Sequence, residues 1–89
     1  MSEIESSVRN AAVSVTSTAT LVAPGTTTRS SLVMVNNGSV TVFVGAASVT
    51  TATGTPVAAG ASISLSNFNG ALYGIVASGT CDVRTLEEL

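Results

Sequence analysis

The chain has no histidine, no lysine and no tryptophan, only one cysteine, Cys81, and two prolines, Pro24 and Pro56. Without histidine no Ser-His or Cys-His couple can form. One cysteine can neither close an intrachain disulfide nor supply the soft ligands of a structural zinc site. Cys81 alternates with Val83 and reads as a half-buried small hydrophobe. Charge is scarce as well: 9% of the residues, with a net of −2, against about 25% in an ordinary domain. Arg9, Arg29 and Arg84 are scattered rather than clustered, so no nucleic-acid partner is expected. Of the acidic residues Glu3, Glu5, Asp82, Glu87 and Glu88, all but Asp82 lie close to an end of the sequence. Glu87 and Glu88 read as solvated terminal charge, not as two carboxylates facing each other across a cleft. No run of oxygen ligands suits calcium, and the glycines form neither a phosphate loop nor a dinucleotide fingerprint. No cofactor, no metal and no enzymatic activity are expected.

Long apolar runs are missing too. No stretch approaches the ~20 residues that span a bilayer, and Met1-Ser2-Glu3-Ile4-Glu5 lacks the basic and apolar regions of a secretory leader. The expectation is no membrane partner and synthesis in the cytosol. Large core side chains are few, and 89 residues fold into a domain with little stability to spare. Burial against other copies of the chain is the expected remedy, most favourably as a homotrimer, with a two-fold dimer also open.

What is abundant is Ser and Thr, 26 of 89 residues, interleaved with Val, Ala and Leu at a period of two. Residues 13–21 alternate as one long strand that ends at Pro24-Gly25. Residues 32–35 lead into Asn37-Gly38, and Val40, Val42 and Val44 follow, the pattern of a hairpin with a type I′ turn. Ser48 to Thr51 reads as a short strand, and Ala59-Gly60 as a turn before the alternating Ala61, Ile63 and Leu65. Asn67 to Gly70 reads as another turn, and residues 72–77 and 81–86 as a second hairpin turning at Ser78-Gly79. The turn residues singled out are therefore Asn37, Gly38, Gly60 and Gly79. These signals predict an all-β fold, a small antiparallel β-sandwich or jelly-roll-like barrel of about seven strands. Residues 1–9 are expected to be a flexible N-terminal arm and residues 10–89 a single β-sandwich domain. Phe43, Phe68, Tyr73, Leu65, Ile63 and Ile75 are the expected core. Thr16, Thr18 and Thr20 form one row of hydroxyls and methyls, but an ice-binding surface needs that row repeated on neighbouring strands. Regular turn signals argue for a closed fold over a cross-β fibre.

One longer pattern runs from Arg29 through Leu32-Val33-Met34-Val35-Asn36-Asn37-Gly38-Ser39, Val40-Thr41-Val42-Phe43-Val44-Gly45, Val49-Thr50, Gly54 and Pro56-Val57-Ala58-Ala59-Gly60. It continues through Ala71-Leu72-Tyr73-Gly74-Ile75, Gly79-Thr80 and Asp82-Val83-Arg84-Thr85-Leu86-Glu87. This outline, about two-thirds of the chain, resembles small β-sandwich virion proteins of tailed bacteriophages. The resemblance implies a structural protein, most simply a capsid decoration (cement) protein that binds the outer surface of the head and stabilises the lattice. A tail, baseplate or head-fibre adaptor is the alternative it allows. Its implied partner is the major capsid protein, and its implied place is the virion's capsid surface. It supplies no catalytic residue. Within that expectation Glu3, Ile4, Glu5 and Arg9 of the arm are the candidate capsid contacts.

Overall fold

The computed structural model describes residues 7–89, which form eight strands and no helix. They are β1 (Val8–Val15), β2 (Thr20–Ala23), β3 (Ser31–Asn36), β4 (Val42–Gly45), β5 (Thr55–Val57), β6 (Ser62–Ser66), β7 (Leu72–Ile75) and β8 (Cys81–Glu88). Sheet A has the order β1-β8-β3-β6 and sheet B the order β2-β7-β4-β5. Every pairing is antiparallel. The strands pair first with last, second with seventh, third with sixth and fourth with fifth, as if one long hairpin had been rolled up. That is the strand order of a jelly roll, a two-sheet β-sandwich.

Rolling the ribbon overturns several local expectations. The segment around Asn37-Gly38 is no hairpin: β3 lies in sheet A and β4 in sheet B, so the chain crosses between sheets there. Neither residue has the positive φ that a type I′ turn needs. The turn at Ser78-Gly79 likewise carries the chain from β7 in sheet B to β8 in sheet A. Among the described residues only β4 and β5, neighbours in both sequence and sheet, form a simple hairpin, and its loop takes in residues 48–51, which form no strand.

The expected long strand over residues 13–21 is broken into β1 and β2 by its own threonines. Thr16 Oγ1 accepts from the Thr18 amide, and Thr20 Oγ1 accepts from the Thr16 amide, both at 3.2 Å. Thr20 Oγ1 also donates to the Thr18 carbonyl at 2.8 Å. Hydroxyls that serve the nearby backbone offer it an alternative to a ladder. Alternation alone does not separate such a turn from a strand.

The core is made of smaller side chains than expected. Sheet A contributes Val15, Leu32, Met34, Cys81 and Val83, and sheet B contributes Val22, Val42, Val44, Val57, Leu72 and, just past β7, Val76. Ile63, Leu65 and Phe68 pack against this cluster only in part, and Phe43, Tyr73 and Ile75 are half-exposed on the far side of sheet B. The reason is strand register: the inward positions fall to Val42 and Val44 on β4 and to Leu72 and Gly74 on β7, where a Cβ would lie 3.2 Å from Val22 and 3.3 Å from Val42 on the neighbouring strands and 3.6 Å from Val15 of the opposite sheet. Phe43, Tyr73 and Ile75 alternate with these positions and so face outward.

Candidate interaction surface

Two polar clusters tie the sandwich together, one at each end of β3. At the start, Arg29 is buried, its guanidinium 5.3 Å above the centroid of the Phe68 ring. Its Nε donates to the Phe68 carbonyl at 2.9 Å, Nη1 to the Pro24 carbonyl at 2.8 Å and Nη2 to the Gly70 carbonyl. Nη1 also meets Glu87 Oε2 at 2.6 Å. From the other side Arg9 grips Glu87 with two bonds, Nε to Oε1 at 2.8 Å and Nη2 to Oε2 at 3.0 Å. The Arg9 hydrogen bonds, chiefly, hold the Glu87 carboxyl below the usual carboxylate range; burial opposes this and Arg29 adds to it.

This cluster corrects two readings. Glu87 is 2% exposed rather than solvated. Val8 and Arg9 belong to β1, with Arg9 opposite Glu87, so no arm ends between Arg9 and Asn10. Arg9, a candidate capsid contact, is bound to Glu87 while its side chain stays 47% exposed. Glu3, Ile4 and Glu5 lie outside the described residues. The sequence hid this cluster because its members are dozens of positions apart, joined only once β8 lies between β1 and β3.

At the other end of β3, Asn36 is fully buried with every polar site occupied. Its Nδ2 donates to the carbonyls of Val40 at 2.8 Å and Val57 at 2.9 Å. Its Oδ1 accepts from the Gly38 amide at 2.9 Å and from the Cys81 thiol at 3.0 Å. Gly38 is required here for closeness rather than for φ, because a Cβ would collide with Cys81 Sγ. Asn37 donates to Asp82 at 2.9 Å. Gly60 and Gly79 do turn the chain with positive φ, 81° and 74°.

The outer faces of the two sheets differ in kind. No charged residue occurs between Arg29 and Asp82, so sheet B carries none at all. Its outer face is built from two registered rows: Leu21, Tyr73 and Gly45, then Ile75, Phe43 and Pro56. The hairpin loop of residues 46–54 folds over one side of this face and buries Val49 beside Phe43, with Gly54 too close to Phe43 for any side chain. The outer face of sheet A instead mixes Val33, Val35 and Leu86 with the serines of β6, Glu88 and the exposed Asp82–Arg84 pair at 2.9 Å. Such a pair contributes little to stability.

Among the described residues there is no cleft of ligand size and no group of three or more His, Cys, Asp or Glu side chains placed to hold a metal. No helix is long and apolar enough to cross a membrane. What the arrangement offers chemically is surface: an uncharged aromatic face on one sheet and a face of mixed apolar, polar and charged side chains on the other. Compared with protein-family models, with curated proteins and with solved structures, the chain matches none.

Proposed function

We propose that this protein is a phage capsid decoration protein that seats on the outer surface of the head through the outer face of sheet B. The observation that carries the reading is that face: Leu21, Phe43, Pro56, Tyr73 and Ile75 side by side with no charge among them. Protein contact surfaces are depleted in charge at their centre and enriched in aromatic residues, and an apolar patch with a polar surround marks a place where another protein sits. The resemblance of residues 29–87 to small virion β-sandwiches supplies the identity of the partner, the major capsid protein. Two interlocked sheets suit a part that must stay rigid on a shell, where many copies multiply weak contacts by avidity. Glu3, Ile4, Glu5 and Arg9 remain proposed as a secondary contact.

The test is to purify virions and separated heads and tails of the phage that encodes the chain and to measure its copy number in each. Hundreds of copies on heads, lost from tails, are expected. A handful of copies confined to the tail would overturn decoration in favour of an adaptor.

A further inference from the structure

A jelly roll leaves four strand edges, and in this chain they are not alike. β5 is three residues long and contains Pro56. β2 has four residues and a register shift between Leu21 and Ala23. β6 has five residues, with serines at both ends and at its centre. Shortness, proline and a register shift are devices that keep an edge from recruiting another strand. β1 has none of these three: eight residues, Val8–Val15, in unbroken register with β8 and without proline, its one charged side chain, Arg9, bound to Glu87.

The hydrogen-bond phase of β1 follows from its end. The Leu89 amide donates to the Ser7 carbonyl at 2.9 Å, which continues the β1–β8 register by one pair. Antiparallel ladders alternate, so Arg9, Ala11, Val13 and Val15 turn their main-chain groups toward β8. Val8, Asn10, Ala12 and Ser14 turn theirs to the open edge, where no described residue meets them. Thr16, the next residue of that phase, is already closed off: its amide bonds Thr20 Oγ1 at 3.2 Å and its carbonyl accepts from the Val76 amide at 3.1 Å. The open edge is thus a defined set of four rungs ending at a corner.

We infer that this edge pairs with the same edge of a second copy of the chain, antiparallel about a two-fold axis through Ala11. Only that register uses every open rung. Val8 faces Ser14 of the second copy and Asn10 faces its Ala12, each pair exchanging two main-chain bonds. The two Ala11 residues meet at the axis as a non-hydrogen-bonded pair, where backbones come closest, about 4.5 Å between Cα atoms, and a small side chain is required. Charge allows it as well. Arg9 is the one charged residue of β1 and is already bound to Glu87. In this register it faces Val13 of the second copy, and the two Arg9 positions are about 13 Å apart along the strands, beyond the Debye length of about 8 Å at physiological salt. Identical edges joined this way close after two copies, whereas β1 on a different edge would grow a filament. The pairing makes one continuous sheet of two sheets A and leaves the outer face of sheet B free. It is two-fold, so it replaces the three-fold assembly expected from the sequence, and it holds whether or not the protein binds a capsid.

The test uses the full chain. Sedimentation at tens of micromolar should give twice the 8.8 kDa chain mass. Ala12→Pro removes an amide that makes no bond within the monomer, a place where an edge strand accepts proline. It should weaken the dimer by at least about 100-fold while the circular dichroism of the fold persists. A second, gain-of-signal variant guards against misfolding. In Ala11→Cys the two thiols lie within disulfide reach across the axis, so mild oxidation should crosslink it to a dimer. Asn10→Cys and Ala12→Cys face other residues and should not crosslink. A monomeric wild-type chain, or crosslinking that is equal at positions 10, 11 and 12 or absent at 11, would overturn the inference.

Discussion

Sheet A and sheet B share one core yet divide the molecule's tasks between them. Sheet A holds the long strands β1 and β8 and the charged residues Arg9, Asp82, Arg84, Glu87 and Glu88; both polar clusters anchor on it. Sheet B has short strands, no charge, and its aromatic side chains turned outward. The difference teaches where the stability of a small, poorly charged sandwich comes from. Valine-rich packing fills the space between the sheets, but the polar clusters fix how the rolled-up ribbon closes at each end. Sheet B is thereby released from holding the largest side chains, which are left for contact with something else.

The contrast breaks most severely if Arg29 is removed. Arg29→Met leaves the carbonyls of Pro24, Phe68 and Gly70 without their donor and Glu87 without its buried partner. A loss of about 3–5 kcal/mol in urea unfolding is expected. Next is the neutral cluster. Asn36→Ala strands two carbonyls and the Gly38 amide, and should cost about 3 kcal/mol by the same measurement.

Acid should separate the two ends of β3. The folded Glu87 carboxyl lies below its unfolded value of 4.5. Its contribution is therefore complete above about pH 4.5 and is lost as pH falls further, through the folded value. Urea midpoints measured from pH 7 down to pH 3 should fall in wild type and in Asn36→Ala alike. In Glu87→Gln, which starts lower, this part of the fall should be missing. A smaller effect sharpens the neutral end. Gly38→Ala should destabilise by about 1–3 kcal/mol through its clash with Cys81 Sγ. Adding Cys81→Ala should recover part of it, with a coupling of at least about 0.5 kcal/mol in the double-mutant cycle.

The class of fold was legible in the sequence because alternation and turn residues act locally: strands β3, β4, β6, β7 and β8 and the turns at Gly60 and Gly79 fall where the pattern puts them. The pairing was not legible. Asn37-Gly38 carries a strong local signal for a hairpin, yet the chain leaves for the opposite sheet, because Asn36 spends its side chain on Val40, Val57, Gly38 and Cys81. The aromatic residues misled for a related reason. Size predicts burial, but strand register gives the inward positions to Val42, Val44, Leu72 and Gly74 and turns Phe43 and Tyr73 outward. The Arg9–Glu87–Arg29 cluster leaves no mark on any short window, since it exists only after β1, β8 and the chain before β3 are side by side.

The central claim, that the outer face of sheet B is the docking face, is tested most directly by two matched substitutions. Leu21 on sheet B and Leu86 on sheet A are exposed to nearly the same degree, 43% and 47%. Glutamate at either site should change folding stability by no more than about 0.5 kcal/mol. Occupancy of decoration-free heads is then measured for wild type, Leu21→Glu and Leu86→Glu at equal concentration. The account predicts that Leu21→Glu loses binding and Leu86→Glu keeps it. Full occupancy by Leu21→Glu, or loss confined to Leu86→Glu, would contradict it.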